Sequence, residues 1–108
     1  MIILVNRFLL RKNILGITLW PFVILKYNEL RKDKVLLNHE GIHLRQQLEL
    51  LVVLFFVWYT LEFIIRLSVY KNRSLAYRNI SLEREAYKNE KDRQYLDRRS
   101  FWRFLKYI

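Results

Sequence analysis

The sequence predicts an α+β fold, and three observations predict it. Two runs near the N-terminus, residues 2–10 and 14–26, are rich in β-branched and aromatic side chains. Residues 35–70 then contain no proline and are dominated by apolar side chains. Ser81 finally opens a charge-mixed segment with acidic residues in its first turn, the pattern of a capped helix. With 108 residues and no linker-like stretch, the chain is expected to form a single domain over 1–108.

Taken in order, the two N-terminal runs flank a polar break at Arg11, Lys12 and Asn13, so they are expected to pair as a β-hairpin or small sheet. Pro21 lies inside the second run. Proline cannot donate to a sheet ladder, so that strand is expected at an edge. Residues 28–34 are polar and should turn, with Asp33 as N-cap of the next element. Residues 35–70 form one long helix or two with a bend. The pairs Arg45/Glu49 and Glu62/Arg66 stand at i,i+4, which suits a helix. Residues 50–61 are apolar on every helical face, which implies deep burial or lipid. A break at 71–74 precedes Ser81, the expected N-cap of a helix running to about Leu96. Residues 100–108 form a basic-aromatic tail.

Composition narrows the chemistry. The chain has no Cys, which excludes disulfides and thiolate metal ligands and suits the cytoplasm. Twenty Lys+Arg against ten Asp+Glu give a net charge of +10. A basic, apolar chain has two natural partners, an anionic membrane surface and nucleic acid. No standard signal peptide is visible. The longest uncharged runs, 13 residues at 13–25 and 12 at 50–61, fall short of the roughly 20 residues that span a bilayer. Arg98, Arg99, Phe101, Trp102 and Arg103 interleave bases with aromatics, but no nucleic-acid fold signature accompanies them. A solvated basic tail is therefore expected, and nucleic acid is not an expected partner.

Residues 39–43 read His-Glu-Gly-Ile-His. On a helix, His39 and His43 project from one face, one turn apart, and can occupy adjacent corners of a tetrahedral Zn²⁺ site. Glu40 sits beside them as the candidate general base for a water in that site's open position. These are the only two histidines in the chain. Chance would place two histidines four apart about 2% of the time, and with an adjacent Glu about one time in a thousand, so the motif is given weight. A third protein ligand must be a carboxylate, since neither Cys nor a further His exists.

Downstream, Ser81-Leu82-Glu83-Arg84-Glu85-Ala86-Tyr87 places a glutamate on the second predicted helix. An HExxH helix followed by a Glu-bearing helix resembles the gluzincin class of zinc metallopeptidases, in particular its minimal single-domain members. The resemblance spans His39 to Tyr87. It implies zinc, a peptide or protein substrate, peptide-bond hydrolysis, and a sheet upstream whose edge strand pairs with extended substrate. Glu83 is favoured over Glu85 as third ligand. It shares a face with Ala86 and Tyr87, whereas Glu85 shares one with Lys88 and Asn89 and is expected to face solvent. The resemblance agrees, because Ala86 follows Glu83 at the family's spacing. One departure stands out: where many gluzincins carry an acidic residue four positions after the ligand Glu, orienting a histidine, this chain has Tyr87. Gln46, one turn after the motif, could point near the site, with a helix-surface amide the favoured expectation. The alternative function is a membrane-associated metal-binding or structural protein without catalysis.

Overall fold

The computed structural model describes residues 1–10 and 14–108; the polar break expected at Arg11, Lys12 and Asn13 lies outside the described residues. The α+β expectation holds. A small N-terminal sheet precedes the helices, in the order β1 (Ile2–Val5), β2 (Gly16–Leu19), β3 (Phe22–Leu25), α1 (Lys34–Glu49), α2 (Val53–Tyr70), α3 (Arg73–Arg78), α4 (Ser81–Asn89) and α5 (Tyr95–Arg98).

The strand pairing differs from the hairpin expected between the two N-terminal runs. The second run folds back on itself: β2 and β3 pair antiparallel across the cis Trp20-Pro21 peptide, and β1 lies parallel to β3, giving the order β1-β3-β2. The lost N–H of Pro21 is the physical reason. It cannot donate to a ladder, so it takes the turn instead of a strand position and divides the run in two. The strand it enters is therefore the central one, and β2 is an edge.

One sheet face carries Thr18, Val23 and Leu25, all buried. Thr18 lies opposite Val23 in the ladder, and its hydroxyl hydrogen-bonds to Glu40 of α1, so this is the face that packs on α1. The opposite face carries Ile2, Leu4, Ile17, Leu19 and Phe22, apolar and exposed.

Asp33 caps α1 as expected, its carboxylate accepting from the Leu36 N–H at 3.1 Å. The 35–70 stretch is two helices. Leu51 and Val52 both have φ of 57° between them, and Val52 centres a γ-turn closed by Val53 N–H donating to Leu51 O. Neither residue is glycine, so the reversal is strained. Glu49 does not pair with Arg45; it turns to Arg99 at 2.6 Å, while the Glu62–Arg66 pair forms at 3.4 Å.

Ser81 is the first residue of α4, not its N-cap. Its N–H and hydroxyl both donate to Glu62 of α2, at 2.6 and 2.5 Å. A carboxylate from a neighbouring helix thus caps α4 where the helix dipole favours negative charge. The helix ends at Asn89, well short of Leu96. Asn38 of α1 stops it there, donating to the carbonyls of Glu90 and Asp92 at 2.8 Å. The C-terminal segment is anchored at two residues, while Arg98, Ser100, Phe101 and Trp102 remain exposed. Arg99 is buried between Glu85 and Glu49, and Phe104 packs in a core cluster with Leu50, Phe55, Ile80 and Leu82. Two buried carboxylates demand a buried cation, which overrides the exposure usual for arginine.

Because the γ-turn at Val52 is strained, Val52→Gly is expected to unfold no more readily than the parent chain. Val53→Gly, one residue inside α2, should cost about 1 kcal/mol. Denaturant unfolding followed by circular dichroism compares the two, and an equal loss for both would contradict the strained turn.

Candidate metal centre

The helical period places His39 and His43 one turn apart on α1, as expected, and α4 crosses them with Glu83. The Glu83 carboxylate oxygen Oε1 lies 3.2 Å from His39 Nε2 and 3.0 Å from His43 Nε2. One ligand atom from each of the three residues falls within 4.8 Å of the others, and all three residues are buried. Such a group can hold a metal ion.

The other ring nitrogens say what that point requires. His39 Nδ1 meets Glu90 Oε2 at 2.7 Å, and His43 Nδ1 meets Gln46 Oε1 at 2.9 Å. The amide of Gln46 has one orientation, because its Nε2 donates to Leu82 O at 3.1 Å and to Glu85 Oε1 at 2.8 Å. Both Nδ1 positions therefore face pure acceptors and carry the proton. That leaves two Nε2 lone pairs and a carboxylate oxygen converging on one small, buried volume. Three acceptors cannot stay there without positive charge between them, either protons on the rings or a cation. The donor set fits a borderline divalent ion, and acceptors behind both rings are the usual way a metal-bound imidazole is oriented.

A proton on His43 is one way to meet that need. Burial alone would lower the pKa of His43, but the facing Glu83 carboxylate more than offsets it, with help from Glu40 and Gln46, and His43 is pushed up to about 9. Burial alone would raise Glu83; the charge on His43 and hydrogen bonds from both histidines hold its carboxyl well below the usual carboxylate range. The second Glu83 oxygen accepts from the Tyr59 hydroxyl of α2 at 2.7 Å, which fixes the plane of the carboxylate.

Glu40 is buried on the sheet side of α1. Its Oε2 accepts from the Thr18 hydroxyl, and Gly16 leaves room for it: a Cβ there would lie 3.2 Å from Glu40 Oε1. Glu40 is also close enough to contribute to the charge felt by His43.

Several expectations are corrected here. Glu85 does not face solvent. It is fully buried and accepts from Arg99, Tyr95 and Gln46, which separates it from Glu83, the carboxylate facing the two histidines. The prediction of exposure took Lys88 and Asn89 as its neighbours, but the C-terminal segment folds over that side and brings Arg99. Gln46 is likewise buried and holds His43 instead of lying on the surface. Tyr87 stands edge-on to the His39 ring at 4.5 Å, and the orienting carboxylate is Glu90, seven residues after Glu83. The spacing carried both signals: Gln46 is three residues beyond His43, and Glu90 is two helical turns beyond Glu83.

The chain matches no family model, no curated protein and no solved structure. The case for this site therefore rests on its own residues.

Removing a ligand and removing its support should separate cleanly. Glu83→Gln is expected to abolish tight retention of divalent metal. Gln46→Leu should weaken it about 10- to 100-fold, and Gln46→Glu, which keeps an acceptor for His43 Nδ1, should recover most of the loss. Glu85→Gln should instead destabilise the fold by about 3 kcal/mol, through Arg99, while the metal stays bound. Chelator competition and denaturant unfolding measure the two effects. Metal loss in Glu85→Gln equal to that in Glu83→Gln would overturn the division of roles.

Proposed function

We propose that the chain is a zinc metallopeptidase-like protein that hydrolyses peptide bonds, with His39, His43 and Glu83 as metal ligands and Glu40 as general base. The observation that carries this reading is the convergence of two oriented Nε2 atoms and one carboxylate oxygen, with a further carboxylate next to the first histidine on the same helix. Zinc is the ion this set of two imidazoles and one carboxylate suits best. When bound, such an ion supplies Lewis acidity toward a carbonyl oxygen and lowers the pKa of water.

The residues of the chain supply the rest. Tyr59 and the two histidines orient Glu83, and Glu90 and Gln46 keep the rings in one tautomer. Glu40 accepts a proton from the attacking water at its carboxylate and returns it to the leaving amine. The Thr18 hydroxyl holds one Glu40 oxygen and directs the carboxylate. β2, which carries Thr18, is an edge strand, and an extended peptide could add to it by backbone pairing. Gln47 already covers one end of that edge: its side chain accepts from Trp20 N–H at 2.7 Å and donates to Thr18 O at 2.8 Å. Among the described residues no side chain covers the Gly16 end in this way.

A second reading keeps the metal without hydrolysis, and the burial of Glu40 against β2 favours it. Glu40→Gln distinguishes the two. In the catalytic reading it retains metal and lowers cleavage of an unfolded protein substrate by about 10²- to 10⁴-fold. Cleavage at the parent rate by Glu40→Gln would remove Glu40 as the base. Metal-loaded parent protein that cleaves no unfolded substrate would favour the second reading.

A further inference from the structure

The helix α2 is inverted. Its charged and aromatic-polar side chains face the protein, and its outer face is apolar apart from Thr60 and Ser68. Inward lie Phe55, Trp58, Tyr59, Glu62 and Arg66, buried or half-buried, with Glu62 capping α4 and Tyr59 holding Glu83. Outward lie Val53, Leu54, Val57, Leu61, Ile64 and Ile65, exposed by 49 to 70%. A helix facing water shows the opposite arrangement.

We propose that this outward face is seated against the acyl chains of a lipid bilayer. Three observations choose lipid as the occupant. At 18 residues the helix is roughly 27 Å long, close to the thickness of a hydrocarbon core of about 30 Å. The outward Ser68 hydroxyl is satisfied within its own helix, donating to Ile65 O at 2.7 Å, as a polar group in hydrocarbon must be. Tyr70, Lys71 and Arg73 follow in sequence where the apolar face ends, the residue types that anchor a helix at a headgroup layer, in a chain of net charge +10. The outer face of the sheet is also apolar, but α2 combines exposure with inward-facing charge. The inference does not rest on metal binding or on hydrolysis.

The absence of cysteine allows a direct test. Leu61→Cys, Ile64→Cys and, as a control on exposed Lys91, Lys91→Cys are each labelled with an environment-sensitive fluorophore. Each is reconstituted into phosphatidylcholine vesicles at high salt, where surface charge alone does not recruit a basic protein. Circular dichroism checks each fold, and Leu54→Cys replaces any outward variant that fails it. The expected result is blue-shifted emission at the outward positions, with strong quenching by nitroxide placed on the acyl chain, and neither effect at Lys91→Cys. Quenching no stronger at the outward positions than at Lys91→Cys overturns the proposal. So does protection of the outward labels in lipid-free, detergent-free solution, which would mean that a second copy of the chain covers α2.

Discussion

Glu83 Oε1 is buried against two imidazole Nε2 atoms whose opposite nitrogens are committed to acceptors, and much of the molecule is arranged around that electrostatic constraint. Three acceptors at one point are tolerable only with positive charge among them, as ring protons or as a cation. Keeping them there requires that neither ring can flip and that the carboxylate cannot rotate. Gln46 and Glu90 meet the first need and Tyr59 the second. Gln46 in turn is oriented by Glu85, Glu85 is neutralised by Arg99, and Arg99 also meets Glu49 at the end of α1. A line of buried polar contacts therefore ties the His39–His43–Glu83 group of α1 and α4 to the C-terminal segment. In a low-dielectric interior, a network of this kind is rigid while every member is satisfied and expensive once one is removed.

The second structural consequence concerns α2. Most of its aliphatic side chains are exposed, while Phe55 enters the core and its polar side chains reach the two places where α4 needs them: Glu62 at the N-terminus and Tyr59 at Glu83. Phe55 adds an edge-on contact to the His43 ring at 6.1 Å. The helix is thus a support for the site on one side and an apolar surface on the other. Its strained entry at Leu51 and Val52 aims it, since a continuous helix from α1 would carry Glu62 and Tyr59 away from α4.

What could be seen in the sequence was whatever depends on local spacing. The i,i+4 histidines, the adjacent Glu40 and the Asp33 cap all follow from helical geometry over a few residues. The α+β class followed from composition changes along the chain. Strand pairing was not legible, because the turn at Pro21 and the parallel partner β1 are set by contacts between distant segments. The burial of Glu85 and the anchoring of the tail were missed for the same reason: Arg99 lies 14 residues from Glu85 in sequence and 50 from Glu49. Ser81 had the right chemistry for a cap, but a stronger acceptor from another helix displaced it from that role.

The central claim is that His39, His43 and Glu83 together hold a divalent ion. X-ray absorption at the zinc edge tests it most directly, on protein loaded with one equivalent of Zn²⁺ and freed of excess metal. The account predicts a four-coordinate first shell of nitrogen and oxygen at about 2.0 Å, with outer-shell scattering from two imidazole rings. A shell of oxygens without imidazole scattering, or protein that retains no zinc, would contradict it.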